Sequence, residues 1–419
     1  MDVSTKSLYQ YSMNALFILF LFLLPFQDSG LSETALNYVG LYLSNIPLII
    51  MVLLSSFYAI YRRNIMARRL YVIIGVFAYV IVFSLLMCLW VNEEITISLY
   101  KTITGCISLF LQVYVFYVCR NRLPLIKKYI WIAFLIDMLG WGLCDVLKVD
   151  MGWIIHRSLG DERFHGFASE TSWFSFTTMI LGLLSIEASD RKYLKIIYAI
   201  SMIGVVLLGG SKGTVLCLMI AAIVGILLND NVNIFFKPLL ILTVGIVGYV
   251  VFQNLILDSF VHDLSDATSF ATRVSSILAS VMIVIDYPFG TGYGAFQSIL
   301  REYYVDAFDL LNSYVPLFSL SAREILWMVN DTTGSGLSIK GIFFQYMAYF
   351  GLPFFMFVIL SFWRFSKYEL NNYWKVSAMF VVIGLLCFAN FYYDSILFFA
   401  VLAKNIKREN QKTSIVGIL

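Results

Sequence analysis

Three short stretches carry side chains suited to holding an anion and moving a proton. The first is Arg163-Phe164-His165-Gly166, followed by Glu170, Thr171, Ser172 and Trp173 at the start of an apolar run. A guanidinium offers phosphate a fixed fork of donors, and a carboxylate or an imidazole is the usual general base. The second is Leu208-Gly209-Gly210-Ser211-Lys212-Gly213-Thr214, between two apolar runs. Its glycines allow a tight turn or a close backbone approach, and Lys212 stands near a helix N-terminus, which favours anions. The third starts at Arg273 and ends in Asp286-Tyr287-Pro288-Phe289-Gly290-Thr291-Gly292-Tyr293-Gly294-Ala295-Phe296. Glycines at alternate positions weaken a helix interior. Gly290, Gly292 and Gly294 are therefore expected in a tight loop whose backbone N–H groups face a phosphate or a sugar.

Each stretch has a plainer reading beside this one. Arg163 is equally an interfacial arginine pairing with Glu162 or a lipid headgroup. Lys212 is equally a snorkelling lysine at a hairpin turn. The glycine run is equally a flexible loop. Motifs of soluble enzymes are absent: the chain has no P-loop, no G-x-S-x-G and no H-E-x-x-H. The alternate glycines are no nucleotide fingerprint, because no strand precedes them. Asp263 and Asp266 have D-x-x-D spacing and read as a solvated turn rather than a metal site. The six cysteines, Cys88, Cys106, Cys119, Cys144, Cys217 and Cys387, lie in or beside apolar runs and form no C-x-x-C pair, so they read as small core residues. No metal and no cofactor are expected. A formal net charge of +3 gives no reason to expect a nucleic-acid partner.

What must position these residues is a membrane bundle. Hydrophobic residues make up 60% of the chain and charged residues 13%, where a soluble domain is nearer a quarter charged. The apolar residues gather in runs close to the roughly 20 needed to cross a bilayer, and lipid leaves such runs no choice but helix. Spans are expected at 12–26, 36–60, 70–91, 95–119, 129–146, 172–188, 194–209, 213–229, 236–257, 339–363 and 375–391, with a short apolar piece at 395–404. The fold class is thus an all-α polytopic membrane protein of about eleven or twelve transmembrane helices. Residues 1–419 read as a single integral membrane domain in contact with lipid.

Orientation follows from the basic loops. Arg62, Arg63, Arg68 and Arg69 form one, and Arg120, Arg122, Lys127 and Lys128 the next. Arg191, Lys192 and Lys195, then Arg364, Lys367 and Lys375, continue the alternation, and the tail carries Lys404, Lys407, Arg408 and Lys412. The positive-inside rule assigns these loops and both termini to the cytoplasm. Two longer segments then face outward, a first loop at 147–171 and a large cap loop at 258–338, and they hold His156, His165 and His262. All three chemistry-bearing stretches fall on that outer side.

In order, spacing and expected side, these pieces resemble the superfamily of O-antigen ligases and Wzy-type O-antigen and exopolysaccharide polymerases over most of residues 150–360. The family's G-S-R-G-like turn reads Gly210-Ser211-Lys212-Gly213 here. Its outer-loop arginine before an H-P-x-x-G-x-G-x-G-x-F motif reads Arg273 before Asp286 to Phe296. Its earlier R-x-x-G with a polar cluster at the start of a span reads Arg163, Gly166, Glu170, Thr171 and Ser172. Two positions depart from the pattern. Lys212 replaces the usual arginine. Lys340, in Lys340-Gly341-Ile342-Phe343-Phe344-Gln345 before Gly351-Leu352-Pro353, stands where ligases carry a histidine, which favours a polymerase.

The resemblance implies a glycosyltransferase of the bacterial inner membrane, acting on its periplasmic face in lipopolysaccharide biosynthesis. Its substrates would be oligosaccharide repeat units on undecaprenyl diphosphate, and a chain-length regulator protein is a possible partner. Loops 147–171 and 258–338 would be periplasmic. Glu170, with His165 as second choice, would deprotonate the acceptor hydroxyl. Arg163, Lys212, Arg273, Lys340 and the three glycines would hold diphosphate or sugar, the two arginines sharing one outward cavity. A ligase and a transporter of the same lipid-linked saccharide are the alternatives. Most spans lack ionisable residues, which speaks against the transporter.

Overall fold

The computed structural model describes the chain except residues 1–2, 28, 34–41, 63–66, 92–94, 150, 152–163, 169, 210, 230–231, 252, 254–267, 315–321, 331–337, 367–369, 388–391 and 417–419. The described residues are helical apart from short connections, with no β-strand among them. Each apolar run becomes a helix. In chain order these are α1 (Val3–Phe22), α2 (Asn45–Arg62), α3 (Ala67–Val91), α4 (Ile95–Asn121), α5 (Leu123–Gly140), α6 (Thr171–Ala188), α7 (Lys192–Gly209), α8 (Lys212–Leu227) and α9 (Lys237–Val251). The rest are α10 (Thr268–Asp286), α11 (Gly292–Tyr314), α12 (Arg323–Asn330), α13 (Ile342–Ser366), α14 (Asn372–Cys387) and α15 (Tyr393–Val416).

Among the described residues four helical stretches are long and apolar enough to cross a membrane: Leu99–Asn121, Leu123–Val146, Lys192–Gly209 and Ile342–Phe365. Six shorter apolar helices accompany them, among them Ser7–Phe22 and Gly75–Val91. Large apolar side chains such as Leu135, Leu139, Ile196, Ile200, Phe357 and Trp363 stay exposed on these helices, a surface compatible with lipid contact. Five of the six cysteines are buried and Cys387 is exposed, against its expected place in the core.

The helices fall into two compact units. The first comprises Met1–Leu70, Phe110–Leu218 and Tyr392–Leu419. At its centre stands α6, apolar all round, with every residue from Phe174 to Ser185 buried. It packs on α5, α7 and α15, while α1 packs on α2 and α5. α5 starts cleanly because Pro124 suits the first turn of a helix. At its other end the α-helix widens into a π-helical turn, Trp141–Val146, a distortion that often marks a functional segment.

The second unit comprises Tyr71–Leu109 and Met219–Phe391. Here α10 packs on α11, α12 and α13, and α13 packs on α14. Ala271, Ile283, Phe296, Ile299, Tyr304, Ile325 and Ala348 form its core. Within the expected cap loop 258–338, residues 268–286, 292–314 and 323–330 are helical. Of the three glycines expected in a tight loop, Gly290 lies in the connection between two of these helices. Gly292 and Gly294 open the 23-residue helix α11 and are buried. The close approach of α3 explains the choice of residue. A Cβ at Gly292 would lie 2.7 Å from the Ser84 Cα, and Ser84 Oγ accepts the Tyr293 N–H at 3.0 Å.

Within α13 the backbone breaks at Gly351, where φ is 62° and ψ −150°. The break is filled by the loop before α11. Leu352 donates its N–H to the Pro288 carbonyl at 2.7 Å, and Thr291 donates to the Ala348 carbonyl at 2.9 Å. Groups freed from the helical ladder are thus satisfied by another piece of chain, as an apolar setting demands.

Candidate functional site

In the first unit the residues after the undescribed segment 152–163 are fixed by a buried carboxylate. Asp145, on the π-helical turn, accepts the backbone N–H of His165 at 3.1 Å and of Gly166 at 2.7 Å. The Trp141 and Phe164 rings meet edge to face at 6.1 Å, and Phe167 stacks on Phe26 at 4.4 Å. The chain then turns into α6 with Glu170 as N-cap residue in an extended conformation. Its side chain does not cap the helix; Glu170 Oε2 instead accepts the Ser172 hydroxyl at 3.3 Å. Glu170 is half-buried and His165 buried, so the carboxylate is the better placed of the two to meet a substrate hydroxyl. Among the described residues no cation pairs with Glu170. Arg163 lies outside them.

The turn between α7 and α8 sits against this segment. A Cβ at Gly209 would lie 3.5 Å from Ser175 Oγ, 3.8 Å from Thr171 Cγ2 and 4.0 Å from Phe164 Cβ. The small residue lets the turn approach. Ser211, bonded to Thr214 at 2.8 Å, precedes Lys212, the first residue of α8. Lys212 therefore holds the helix-start position expected of it. Thr171 Oγ1 and Ser175 Oγ are buried beside the turn and have no hydrogen-bond partner among the described residues.

An apolar groove of about 710 Å³ leads to this place. One wall is α5 and its π-turn, with Phe134, Leu135, Met138, Trp141 and Leu143; the other is α7, with Ile197, Ser201, Gly204 and Leu208. Trp141 touches Phe164, and Leu208 adjoins Gly209. The groove thus reaches Trp141, which touches Phe164, and Leu208, next to Gly209 in the turn before Lys212.

The second unit brings Arg273 and Lys340 together. Arg273, half-buried on α10, gives its carbonyl to the Ser276 hydroxyl at 2.8 Å, and Ser276 Oγ accepts the Lys340 N–H at 3.3 Å. Lys340 Nζ lies 3.9 Å from Glu324 Oε1, both side chains being about one-third exposed. Thr272 donates to Glu324 Oε2 at 2.7 Å, and Tyr304 donates to the Thr272 carbonyl at 3.1 Å. Burial first, and the Glu324 carboxylate second, push the Tyr304 hydroxyl above its ordinary range, so it stays a neutral donor.

The glycine run docks one segment of the second unit on another. Gly290 has φ 86°, and a Cβ there would overlap the Tyr349 carbonyl. The N–H groups of Gly290, Thr291 and Tyr293 go to Tyr287 O, Ala348 O and Ser84 Oγ. These three donors face protein, and the glycines at 290 and 292 let neighbouring backbone approach closely.

Two buried carboxylates go beyond what the motifs pick out. Asp137 on α5 accepts the Thr178 hydroxyl at 2.6 Å, and Asp394 accepts the Thr177 hydroxyl at 2.7 Å. For Asp137 the signal in sequence is an aspartate inside the apolar run 129–146. Asp263, Asp266, His156 and His262 lie outside the described residues. No family model matches the chain, and no curated protein or solved structure matches it.

Proposed function

We propose that the protein is a polysaccharide polymerase joining oligosaccharide units carried on polyprenyl diphosphate. The observation that carries this reading is the apolar groove on α5 and α7, whose Trp141 and Leu208 adjoin Phe164 and Gly209 in the segments that carry Glu170 and Lys212. A substrate with a long isoprenoid tail and an anionic head has the matching polarity. In the reaction, Glu170 accepts the proton of the acceptor sugar hydroxyl as its oxygen bonds to the donor's anomeric carbon. The anomeric C–O bond to diphosphate breaks, and lipid diphosphate leaves with the bonding pair. Lys212 and the two arginines neutralise the phosphates, where arginine's bidentate geometry is strongest. Polymerisation takes two lipid-linked saccharides, and basic motif residues occur in both units.

The experiment is deletion in the producing cell, read as surface polysaccharide length. Loss of a polymerase leaves single repeat units on the outer lipid. Loss of a ligase strands polymer on the carrier, and loss of a transporter leaves neither. Gly204 refines the test, because it lines the groove and a Cβ there meets nothing within 4 Å. Gly204→Leu should fill the groove, keep the melting temperature and lower polymer output by about tenfold or more, equivalent to roughly 1.4 kcal/mol of substrate binding. Normal polymer from a stable Gly204→Leu protein would remove the groove from the proposal.

The proposed setting is the bacterial inner membrane, with both termini cytoplasmic and segments 147–171 and 258–338 periplasmic, on the strength of the basic loops. Fusions at Asp161 and Asp309 should give an active periplasmic reporter. Activity of a cytoplasmic reporter at both positions would reverse the orientation. A second reading, a transporter of the lipid-linked saccharide, is favoured by one observation, the buried Asp137 inside the candidate span Leu123–Val146.

A further inference from the structure

The interior of the first unit holds a polar cluster that the proposed glycosyl transfer does not use. Thr177 and Thr178, neighbours on the buried helix α6, each donate a hydroxyl to a carboxylate. Thr178 serves Asp137 on α5 at 2.6 Å. Thr177 serves Asp394 Oδ2, at the start of α15, at 2.7 Å, and itself accepts Gln27 Nε2 at 2.7 Å. Asp394 Oδ1 also accepts the Ser395 N–H at 2.6 Å and its hydroxyl at 3.3 Å. Asp137, Asp394 and Gln27 are 1%, 1% and 2% exposed. The Gln27 amide is held to the cluster by its nitrogen, while its oxygen Oε1 is buried with no hydrogen-bond partner among the described residues.

Charge does not balance here. Among the described residues no Lys, Arg or His pairs with Asp137 or Asp394. Among the described residues, the charged group acting on Asp137 is Asp394. The side chains bonded to the two carboxylates and to Thr177 are neutral: Thr177, Thr178, Ser395 and Gln27. The phenols packed nearby have their own partners. Tyr393 donates to Asn45 at 2.6 Å, and Tyr198 packs edge-on to Phe134. A buried carboxylate without compensating charge costs several kcal/mol or more, and two in one cluster cost more still. Ionisable groups kept inside apolar helices are typically paired or mark an ion path.

We propose that Asp137, Asp394, Thr177 and the Gln27 carbonyl oxygen form a binding site for one monovalent cation, a proton or Na⁺. Such a charge neutralises one carboxylate and gives the Gln27 oxygen its missing partner, as donor hydrogen or as metal. Asp394, with Thr177 and Ser395 already donating to it, is arranged to be the ionised member. Asp137, with one donor, is the member arranged to share a proton. This inference rests on neither reading of the overall activity, and its test reads no polysaccharide.

The purified full-length protein in nanodiscs is melted at pH 8 in NaCl and in choline chloride of equal ionic strength. It is then melted from pH 8 to pH 5 in choline chloride alone. A sodium site raises the melting temperature in NaCl by about 3–5 °C at a hundredfold excess over Kd. A proton site shows no sodium effect; stability rises as pH falls, and the infrared difference spectrum gains a protonated-carboxyl stretch. In either case Asp394→Asn and Asp137→Asn lose the response, and Thr177→Val weakens it. The proposal is overturned if the wild-type protein responds to neither cation, or if the asparagine variants respond as it does. Should the asparagine variants fail to fold, the wild-type melts, the infrared signal and Thr177→Val still decide.

Discussion

Gly351→Ala should markedly destabilise the second unit. The residue sits at φ 62° and ψ −150°, a region open to glycine alone and costing a side chain of order 1–3 kcal/mol. Space adds to strain. A Cβ there would overlap the Pro288 carbonyl oxygen and approach the Gly290 nitrogen to 2.5 Å, both of them backbone. Relief requires the 288–291 loop to withdraw, and that breaks the hydrogen bonds Leu352 N–Pro288 O and Thr291 N–Ala348 O. Each is worth about 1 kcal/mol net, and more where water cannot replace it. The sum is about 3–5 kcal/mol, in the range of the most damaging substitutions known. Gly290→Ala should behave alike, because it meets the other side of the same contact. The control is Gly75→Ala in α3, where a Cβ meets nothing within 4 Å; it should be neutral or stabilising by up to about 1 kcal/mol. Thermal melts of the purified variants decide. If Gly351→Ala melts with the wild type, the break in α13 does not hold the loop.

Helix positions are legible in the sequence because the bilayer rule is local. Each expected span, from 12–26 to 375–391, overlaps a helix, and four helical stretches among the described residues are long and apolar enough to cross a membrane. The ends are not legible from hydropathy. α5 begins at Leu123, ahead of Lys127 and Lys128, because Pro124 and the backbone ladder set a helix start while long lysines reach outward from it. Helices α10 to α12 read as a loop with one amphipathic stretch because their polar residues dilute the apolar signal and glycines stand at the start of α11. There tertiary packing overrides propensity. Ser84 and Tyr349 come within reach of the glycines from far along the chain, and no local pattern announces them.

The candidate site divides in the same way. Lys212 at a helix start and Glu170 at the head of a span follow from neighbours in sequence. The grip of Asp145 on His165 and Gly166, the meeting of Arg273 with Lys340 through Ser276, and the Asp137–Asp394 cluster do not. Each joins residues twenty to more than two hundred positions apart. Residue types alone mark such groups as candidates; only the packing of helices selects partners among them.

Arg273→Ala and Arg163→Ala should each shorten or abolish polymer while the protein inserts and melts normally. Both arginines belong to motifs that resemble those of the polymerases, and an arginine holding a phosphate forms a charge-assisted bond worth roughly 1.5–3 kcal/mol, or tenfold and more in rate. Lysine keeps the charge and loses the planar fork, so Arg273→Lys should recover part of the output. The plainer possibility for Arg273 is a structural role of its side chain within the second unit, and stability separates the two. Removing an anchor lowers the melting temperature; removing a phosphate-binding group changes the product alone. Lys340 makes the comparison sharper. Its ion pair with Glu324 is 3.9 Å long and partly exposed, so it adds at most about 1 kcal/mol to stability. If Lys340 supplies charge to the substrate, Lys340→Arg keeps polymer, Lys340→Met loses it, and Glu324→Gln leaves it in place. If the pair is merely structural, Lys340→Met and Glu324→Gln behave alike. Normal-length polymer from both arginine-to-alanine variants would end the case for a phosphate-binding role at either position, and would leave Glu170 and Lys212 to carry the reading alone.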